Sequence, residues 1–476
     1  MNKLERILMI IMLTLLTIGI SSCGTSGIDS VKRTMSVESY GTIDTSYLDG
    51  AWYAEGSTMD DEVLVNDYVK QWFYDSFAEH YIIDDYQVVI SNLDTHIDHV
   101  SADIAIMAMT TLNYSSVEEV PYMRGLRNAL NISTFAEIVP ADYANSLSEY
   151  AKMELTKSVA LAKSLNTKTA QNRLEVDNLS SESILSYDSA TANVLASASQ
   201  IMSKTQAANL VQMIADKFVD VAECIDRSAV LSMDLKFAAK INHRELYDVT
   251  IDLIYPDELI EVGDKLLDSS DALFASAATD INAFLKSEAS NRSSTTTRGY
   301  SSYDRLVARN YAWMYTEPGY GYNNGPSPTY GEGYSAVGGY NTAYWNLTLY
   351  KCTAAGINHD GSQKDCACFV SQCLKYGGIP TAASTWEFPN AAGMTYAWQS
   401  VSALETYMLT TKGYWNTATR STCNAGNVIK TSSSHIVLCT YNDTVTGRYT
   451  GHTNDRNNLY YKISDTGWTF YTINTK

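Results

Sequence analysis

Residues 364–374 read KDCACFVSQCL, and the pair Gly377-Gly378 follows shortly after. Apolar side chains recur in this stretch at the three- and four-residue spacing of one helix face, which predicts an amphipathic helix. The two glycines predict its end, because glycine commonly follows the last helical turn. Cys366 then lies in the first turn, where unpaired backbone N–H groups and the positive end of the helix dipole favour a thiolate. We therefore interpret Cys366 as a candidate nucleophile.

Two histidines follow Cys366 along the chain. His435 opens an apolar, strand-like run, and His452 comes after a turn predicted at residues 442–447. The two segments predict a β-hairpin with the histidines on adjacent strands. A cysteine at a helix start that faces a histidine on a sheet is typical of a cysteine hydrolase, in which the histidine accepts the thiol proton.

The polar group that would orient His435 is open at this point. His452, Asn454 and Asp455 all follow the predicted turn. Along a strand, His452 and Asn454 face one side and Asp455 the other, so Asp455 would more easily pair with another neighbour. The predicted catalytic set is Cys366, His435 and His452, with Asn454 and Asp455 as rivals for the third position.

From about residue 301 onward, the chain contains a series of short motifs in this order: Tyr303-Asp304-Arg305, Tyr311-Ala312, Asp365-Cys366, residues 369–372, Gly377-Gly378, Trp386, residues 398–404, residues 426–428, Ser434-His435 and residues 452–456. By these motifs and their order, the C-terminal part resembles the putative amidase domain family of bacterial surface proteins. That family is similar to NlpC-type and CHAP cell-wall hydrolases, and through them to the papain-like fold.

The resemblance implies a papain-like domain in which a helix packs on an antiparallel sheet, and amide hydrolysis through a Cys366 thioester. The backbone N–H of Cys366 is the expected oxyanion donor. Trp386 and Trp398 fit either a substrate groove or an aromatic core. The chain departs from the family at Cys368, where the family usually has Asn, and at Asn427, where Asp is common. The Cys368 departure motivates an alternative function, a non-catalytic surface binding protein that retains the fold.

A zinc site is the competing interpretation of the cysteine-rich stretch. Cys366, Cys368 and Cys373, joined by Cys352 or His359, offer enough ligands. Cys373 falls on the apolar helix face, however, and the spacing matches no common zinc knuckle. We expect no metal and no other cofactor.

The N-terminus has the pattern of a bacterial lipoprotein leader. Two basic residues precede the apolar run Ile7–Ile20, and Ile20-Ser21-Ser22-Cys23 resembles a lipobox. We predict cleavage before Cys23 and attachment of palmitate or a related lipid there. Residues 1–23 would then be the signal peptide and residues 24–45 a tether on the extracytoplasmic face of the membrane.

Between tether and C-terminal domain, residues 46–286 predict a separate α+β region of unknown function. A polar, low-complexity linker is predicted at residues 287–299, which leaves residues 300–476 for the amidase-like domain. The predicted elements of the N-terminal region are a helix at 61–80, strands at 87–93 and 100–114, helices within 142–224, strands at 233–241 and 247–255, and a closing helix at 257–286.

The formal net charge of −19 argues against nucleic acid as a partner, because phosphate binding needs clustered Lys and Arg. The expected partners are a peptidoglycan or other exported amide substrate, and the membrane through the lipid anchor. The sequence thus predicts an α+β, surface-anchored cysteine hydrolase that cleaves amide bonds, with peptidoglycan peptides as the first substrate class to consider.

Overall fold

The computed structural model describes residues 33–34, 61–139, 147–174, 204–242, 245–255, 258–262, 266–290, 302–316, 365–388, 395–452, 456–461 and 467–474. This part of the chain is mixed α and β, as predicted, and the chain divides into two compact units. The predicted leader with Cys23, nearly all of the tether and most of the linker lie outside the described residues. No helix within the described ranges is long and apolar enough to cross a membrane.

The first unit consists mainly of residues 1–111 and 228–267. Its strands follow one another across an antiparallel sheet in chain order, and helix α1 (Asp61–Phe77) packs against strand β2. Side chains alternate between buried and partly exposed along β3, as the sequence pattern predicts. The strands are β1 (Arg33–Thr34), β2 (Tyr81–Thr95), β3 (His99–Leu112), β4 (Ser228–Asn242), β5 (Glu245–Tyr255) and β6 (Glu258–Glu261).

Two elements differ from the sequence prediction. The helix predicted from residue 257 begins at Ser270, because Glu258–Glu261 instead forms edge strand β6, whose backbone pairs with β5. A helix at Pro121–Leu130 was not predicted. Its proline occupies the first turn, where the missing N–H costs no hydrogen bond.

The second unit contains residues 112–227 and 268–318 together with the C-terminal part. In its first portion, helices α2 and α5 pack closely, since a Cβ on Gly125 would lie 2.2 Å from the carbonyl oxygen of Phe274. The helices of this portion are α2 (Pro121–Leu130), α3 (Glu149–Leu174), α4 (Lys204–Ala222) and α5 (Ser270–Ser290), with 3₁₀ turns at Val117–Glu119 and Phe135–Glu137.

The C-terminal portion places helices on an antiparallel sheet with strand order β11–β10–β9–β8–β12–β7. Helix α7 packs against both α6 and the central strand β9. The elements are α6 (Arg305–Met314), α7 (Cys366–Tyr376), α8 (Tyr396–Gln399), α9 (Val401–Glu405), a π-helical turn (Thr406–Thr411), β7 (Trp415–Ala418), β8 (Val428–Ser432), β9 (His435–Asn442), β10 (Gly447–Gly451), β11 (Arg456–Tyr461) and β12 (Thr469–Ile473).

Helix α4, which comes from the predicted N-terminal region, contacts the C-terminal elements of the same unit. Arg305 donates through Nη1 to Asp220 Oδ1 at 3.0 Å, and the backbone N–H of Ala425 donates to Asp220 Oδ2 at 2.6 Å. The next residue, Gly426, has φ +84°, and a Cβ there would lie 2.2 Å from the carbonyl oxygen of Arg305. Only glycine fits both the left-handed conformation and this close approach.

Candidate active site

Helix α7 begins at Cys366 and ends at Tyr376, with Gly377 and Gly378 directly after it, as the sequence predicts. Asp365 is its N-cap residue, so Cys366 occupies the first helical position. Backbone N–H groups of a first turn have no acceptor within the helix, and the helix dipole is positive at this end. The Cys366 side chain is therefore located where a thiolate or an oxyanion is stabilised.

The predicted hairpin is present. Strands β9 and β10 pair in antiparallel fashion, His435 is the first residue of β9, and His452 follows the last residue of β10. Both histidines are buried. Cys366 donates its S–H to the carbonyl oxygen of Ser434 across 3.6 Å. The nucleophile candidate thus contacts the residue that directly precedes His435.

His452 has a defined partner at each ring nitrogen. Nδ1 lies 2.8 Å from Asp365 Oδ2, and Nε2 lies 2.7 Å from the carbonyl oxygen of Tyr315. A carbonyl oxygen only accepts, so Nε2 donates, and the carboxylate and Nδ1 share a further proton. The ring also stacks on Phe369, with centroids 3.8 Å apart. His452 therefore connects the N-cap of α7, the end of α6 and the end of β10.

The other two candidates for the third position, Asn454 and Asp455, lie outside the described residues. Asp365 and Tyr315 are site residues that the sequence patterns do not predict. The available signal for Asp365 was its N-cap position, where acidic residues are favoured by the helix dipole. Nothing in the local sequence indicates that the Tyr315 carbonyl would meet a histidine 137 residues away.

The sulfur of Cys368 lies in the core of the C-terminal portion. It accepts hydrogen bonds from Trp398 Nε1 at 3.2 Å and from Gln372 Nε2 at 3.4 Å. The Oε1 atom of Gln372 accepts in turn from the hydroxyl of Tyr311 at 2.8 Å. Two residues along a helix correspond to a rotation of about 200°, so Cys368 points away from the side that carries Cys366.

The predicted apolar face of α7 is buried, but so are its polar residues Ser371 and Gln372. Ser371 donates to the carbonyl oxygen of Trp398 at 2.9 Å and accepts from Trp386 Nε1 at 3.1 Å. The helix is thus enclosed on nearly all sides, and its polar groups remain satisfied. Both tryptophans are completely buried with ring centroids 5.1 Å apart, which makes them core residues.

Within the described ranges, no group of three or more His, Cys, Asp or Glu residues is arranged to hold a metal ion. Cys352 and His359, the remaining ligands of the alternative zinc site, lie outside those ranges. Burial raises the pKa of the Cys373 thiol well above its usual value. Cys373 is itself completely buried in helix α7, on the apolar face where the sequence pattern places it.

The family described as "Putative amidase domain" matches residues 302–475. No curated protein and no solved structure matches the chain. The family match covers helices α6 to α9 and the whole C-terminal sheet, and the matched range includes Cys366, His435 and His452. It supports an amidase domain in the C-terminal part, and hence hydrolysis of amide bonds as its general activity.

Proposed function

We propose that the C-terminal domain is a papain-like cysteine hydrolase in which Cys366 is the nucleophile and His435 the general base. One observation carries this proposal. Cys366 Sγ, at the positive end of helix α7, contacts the Ser434 carbonyl oxygen, directly before His435. The chain segments that bear the two reactive side chains therefore meet, although they are distant in sequence.

In this mechanism His435 accepts the proton of the Cys366 thiol, and the thiolate attacks the carbonyl carbon of a substrate amide. Negative charge develops on the carbonyl oxygen and is stabilised by first-turn N–H groups of α7, including that of Cys366. His435 then protonates the leaving nitrogen as the C–N bond breaks and a thioester forms. A water molecule, deprotonated by His435, attacks the thioester and releases the acid and the thiol.

We assign His452 a positioning role, since both of its ring nitrogens have other partners. Through Asp365 it holds the residue directly before Cys366, and through Tyr315 it holds the end of α6. The pair is buried, with Asp365 and His452 each about 2% exposed. Orientation of the His435 ring remains a proposed role for Asn454 or Asp455.

We further propose that the substrate is an amide bond of cell-wall peptides, in a stem peptide or at the muramoyl–alanine linkage. The support is the family resemblance together with the lipobox-like sequence that ends at Cys23. A protein anchored by a lipid at Cys23 on the extracytoplasmic face would meet this polymer directly. Replacement of Cys23 by Ala is expected to release the protein from the membrane fraction.

The test uses the purified full chain, digested cell wall and mass analysis of the released fragments, together with a thiol-reactive probe near neutral pH. We expect rapid labelling of Cys366 and the release of peptide fragments. Cys366→Ala should abolish release, and His435→Ala should lower it by about 10²- to 10⁴-fold, the usual contribution of a general base.

Cys224→Ala is the matched control, because Cys224 is about as buried as Cys366 but follows the C-terminal end of helix α4, where the helix dipole disfavours a thiolate. Burial also raises the pKa of the Cys224 thiol well above its usual value. This variant should label and cleave like the unmodified protein. Slow and equal labelling of all cysteines, with no fragment released, would overturn the proposal. That result would favour the alternative of a non-catalytic surface binding protein.

A further inference from the structure

Two cysteines that the proposed mechanism does not use lie side by side. Cys423 is located in the turn before β8, Cys439 is located within β9, and both are completely buried. The Cys439 Sγ atom lies 3.4 Å from the carbonyl oxygen of Cys423, to which its S–H group donates.

The backbone around the two thiols is fixed by hydrogen bonds independent of the sulfurs. Gly426 donates its N–H to the Cys439 carbonyl oxygen at 2.7 Å, and Cys439 donates its own to Asn427 at 2.8 Å. The Asn442 side chain donates through Nδ2 to the Cys423 carbonyl oxygen at 2.9 Å. The turn is thus held against β9, so that the Cys439 sulfur remains beside Cys423.

Cysteines of helix α7 are poor competitors for this pairing. Cys366 and Cys368 point to opposite sides of their helix, and the sulfur of Cys368 already accepts two N–H groups. Folded Cys423 is also a poor nucleophile, since burial raises its pKa well above the usual value. Pairing would therefore take place during folding, before the turn closes over β9.

We propose that Cys423 and Cys439 form a disulfide when the chain folds in the presence of a disulfide oxidant. The Cys423 thiolate attacks the oxidant RS–SR to give a mixed disulfide and RS⁻. Cys439, deprotonated in turn, displaces the second RS⁻, so that two protein thiols and RS–SR become one protein disulfide and two RSH. The bond links the turn to the strand that begins at His435.

Trypsin separates the two cysteines, which makes the bond directly measurable. Cleavage after Arg420, Lys430 and Arg448 leaves Cys423 in peptide 421–430 and Cys439 in peptide 431–448, with no other cysteine in either. The full chain would be refolded with oxidised glutathione, alkylated under denaturing conditions and digested without reductant. We expect a peptide pair with the summed mass less two hydrogens, which separates on reduction.

Reduction of the refolded protein should also lower its Tm by about 5–10 °C, as expected for loss of a bond that closes a loop of this length. Cys439→Ser should lose the cross-linked pair and show a Tm that no longer responds to reductant, whereas Cys373→Ser should retain both properties. Recovery of both peptides in alkylated form, or linkage of Cys423 to a different cysteine, would overturn the proposal. The mass analysis of the unmodified chain decides the question even if Cys439→Ser does not fold.

Discussion

Lys217 on helix α4 buries its side chain completely, and Nζ has no hydrogen-bond partner among the described residues. Burial lowers the pKa of this ammonium group, and the neighbouring carboxylate of Asp220 opposes that shift only in part. A charged group that is poorly solvated and not hydrogen-bonded reduces the free energy of unfolding. Buried Lys217 thus lowers the stability of the native fold.

The pH dependence follows from the direction of this shift. Because the folded pKa lies below the unfolded one, the unfolded chain binds more protons between the two values, and stability rises with pH in that window. Lys217→Met keeps the side-chain volume and removes the charge. We expect a gain of about 1–2 kcal/mol in unfolding free energy near neutral pH, which shrinks as the pH approaches the usual lysine range.

Urea unfolding of both proteins at a series of pH values measures the effect. Lys152→Met is the matched control, because Lys152 is 43% exposed and forms its ion pair, at 2.9 Å, with the exposed Glu149. That variant should differ by less than about 0.5 kcal/mol at every pH. A loss of stability in Lys217→Met near neutral pH would contradict this account of the buried ammonium.

At the scale of elements, the sequence predicts the helices and strands that depend on local patterns. The apolar spacing and terminal glycines of α7 are local, and so are the apolar run and the turn that predict the β9–β10 hairpin, so both were predicted. The four-residue edge strand β6 and the 10-residue helix α2 are short, and both were missed. A short segment can adopt either structure, and its packing partners decide which one forms.

The same distinction applies to the candidate site. The order of Cys366 and His435 and their predicted elements suffice to expect a meeting of helix and sheet. The pairing of Asp365 with His452 joins residues 87 positions apart. The burial of Ser371 cannot be predicted from the local sequence either. Its partners Trp386 and Trp398 lie in later segments that become neighbours only in the folded chain.

Helix α4 and helix α6 are joined by a buried ion pair whose loss should be costly. Asp220 binds both Arg305 and the backbone of Ala425, and the Arg305 side chain is 9% exposed. Asp220→Asn keeps the shape but leaves Arg305 without its nearest charge. We expect a loss of about 3 kcal/mol in unfolding free energy, measured by urea unfolding.

The matched change is Asp216→Asn on the same helix. Asp216 lies 3.4 Å from Arg305 Nη2 and is 21% exposed, so its loss should cost less than about 1 kcal/mol. The double variant Arg305→Met with Asp220→Asn should lose less unfolding free energy than the sum of the two single variants. Once the first substitution has broken the ion pair, the second has no ion pair left to break. Equal costs for the two aspartate variants would show that the ion pair does not hold the helices together.

At the scale of the whole chain, one compact unit draws on segments that are separated in sequence. Residues 228–267 belong to the other unit, whereas α4 precedes them and the amidase-like part follows them. Besides Asp220, this segment contains Glu223, the residue directly after α4. The Glu223 carboxylate lies 4.0 Å from the guanidinium of Arg309. The segment matched by the family, residues 302–475, therefore buries two arginines against residues outside it.

This arrangement leads to a prediction about where the C-terminal domain can be cut. A fragment of residues 300–476 would expose Arg305, Arg309 and the apolar surface that α4 covers, and we expect it to be less stable than the full chain by more than about 3 kcal/mol. A fragment of residues 112–476 loses strand β3, the partner of β4, but retains α4, so its C-terminal part should keep most of its stability. Near-UV circular dichroism during heating, which reports the packing of buried Trp386, Trp398 and Trp415, measures both fragments. If the shorter fragment melted cooperatively at the same temperature as the longer one, α4 would not contribute to the stability of the amidase-like domain. The predicted boundary at residue 300 would then mark a domain that folds on its own.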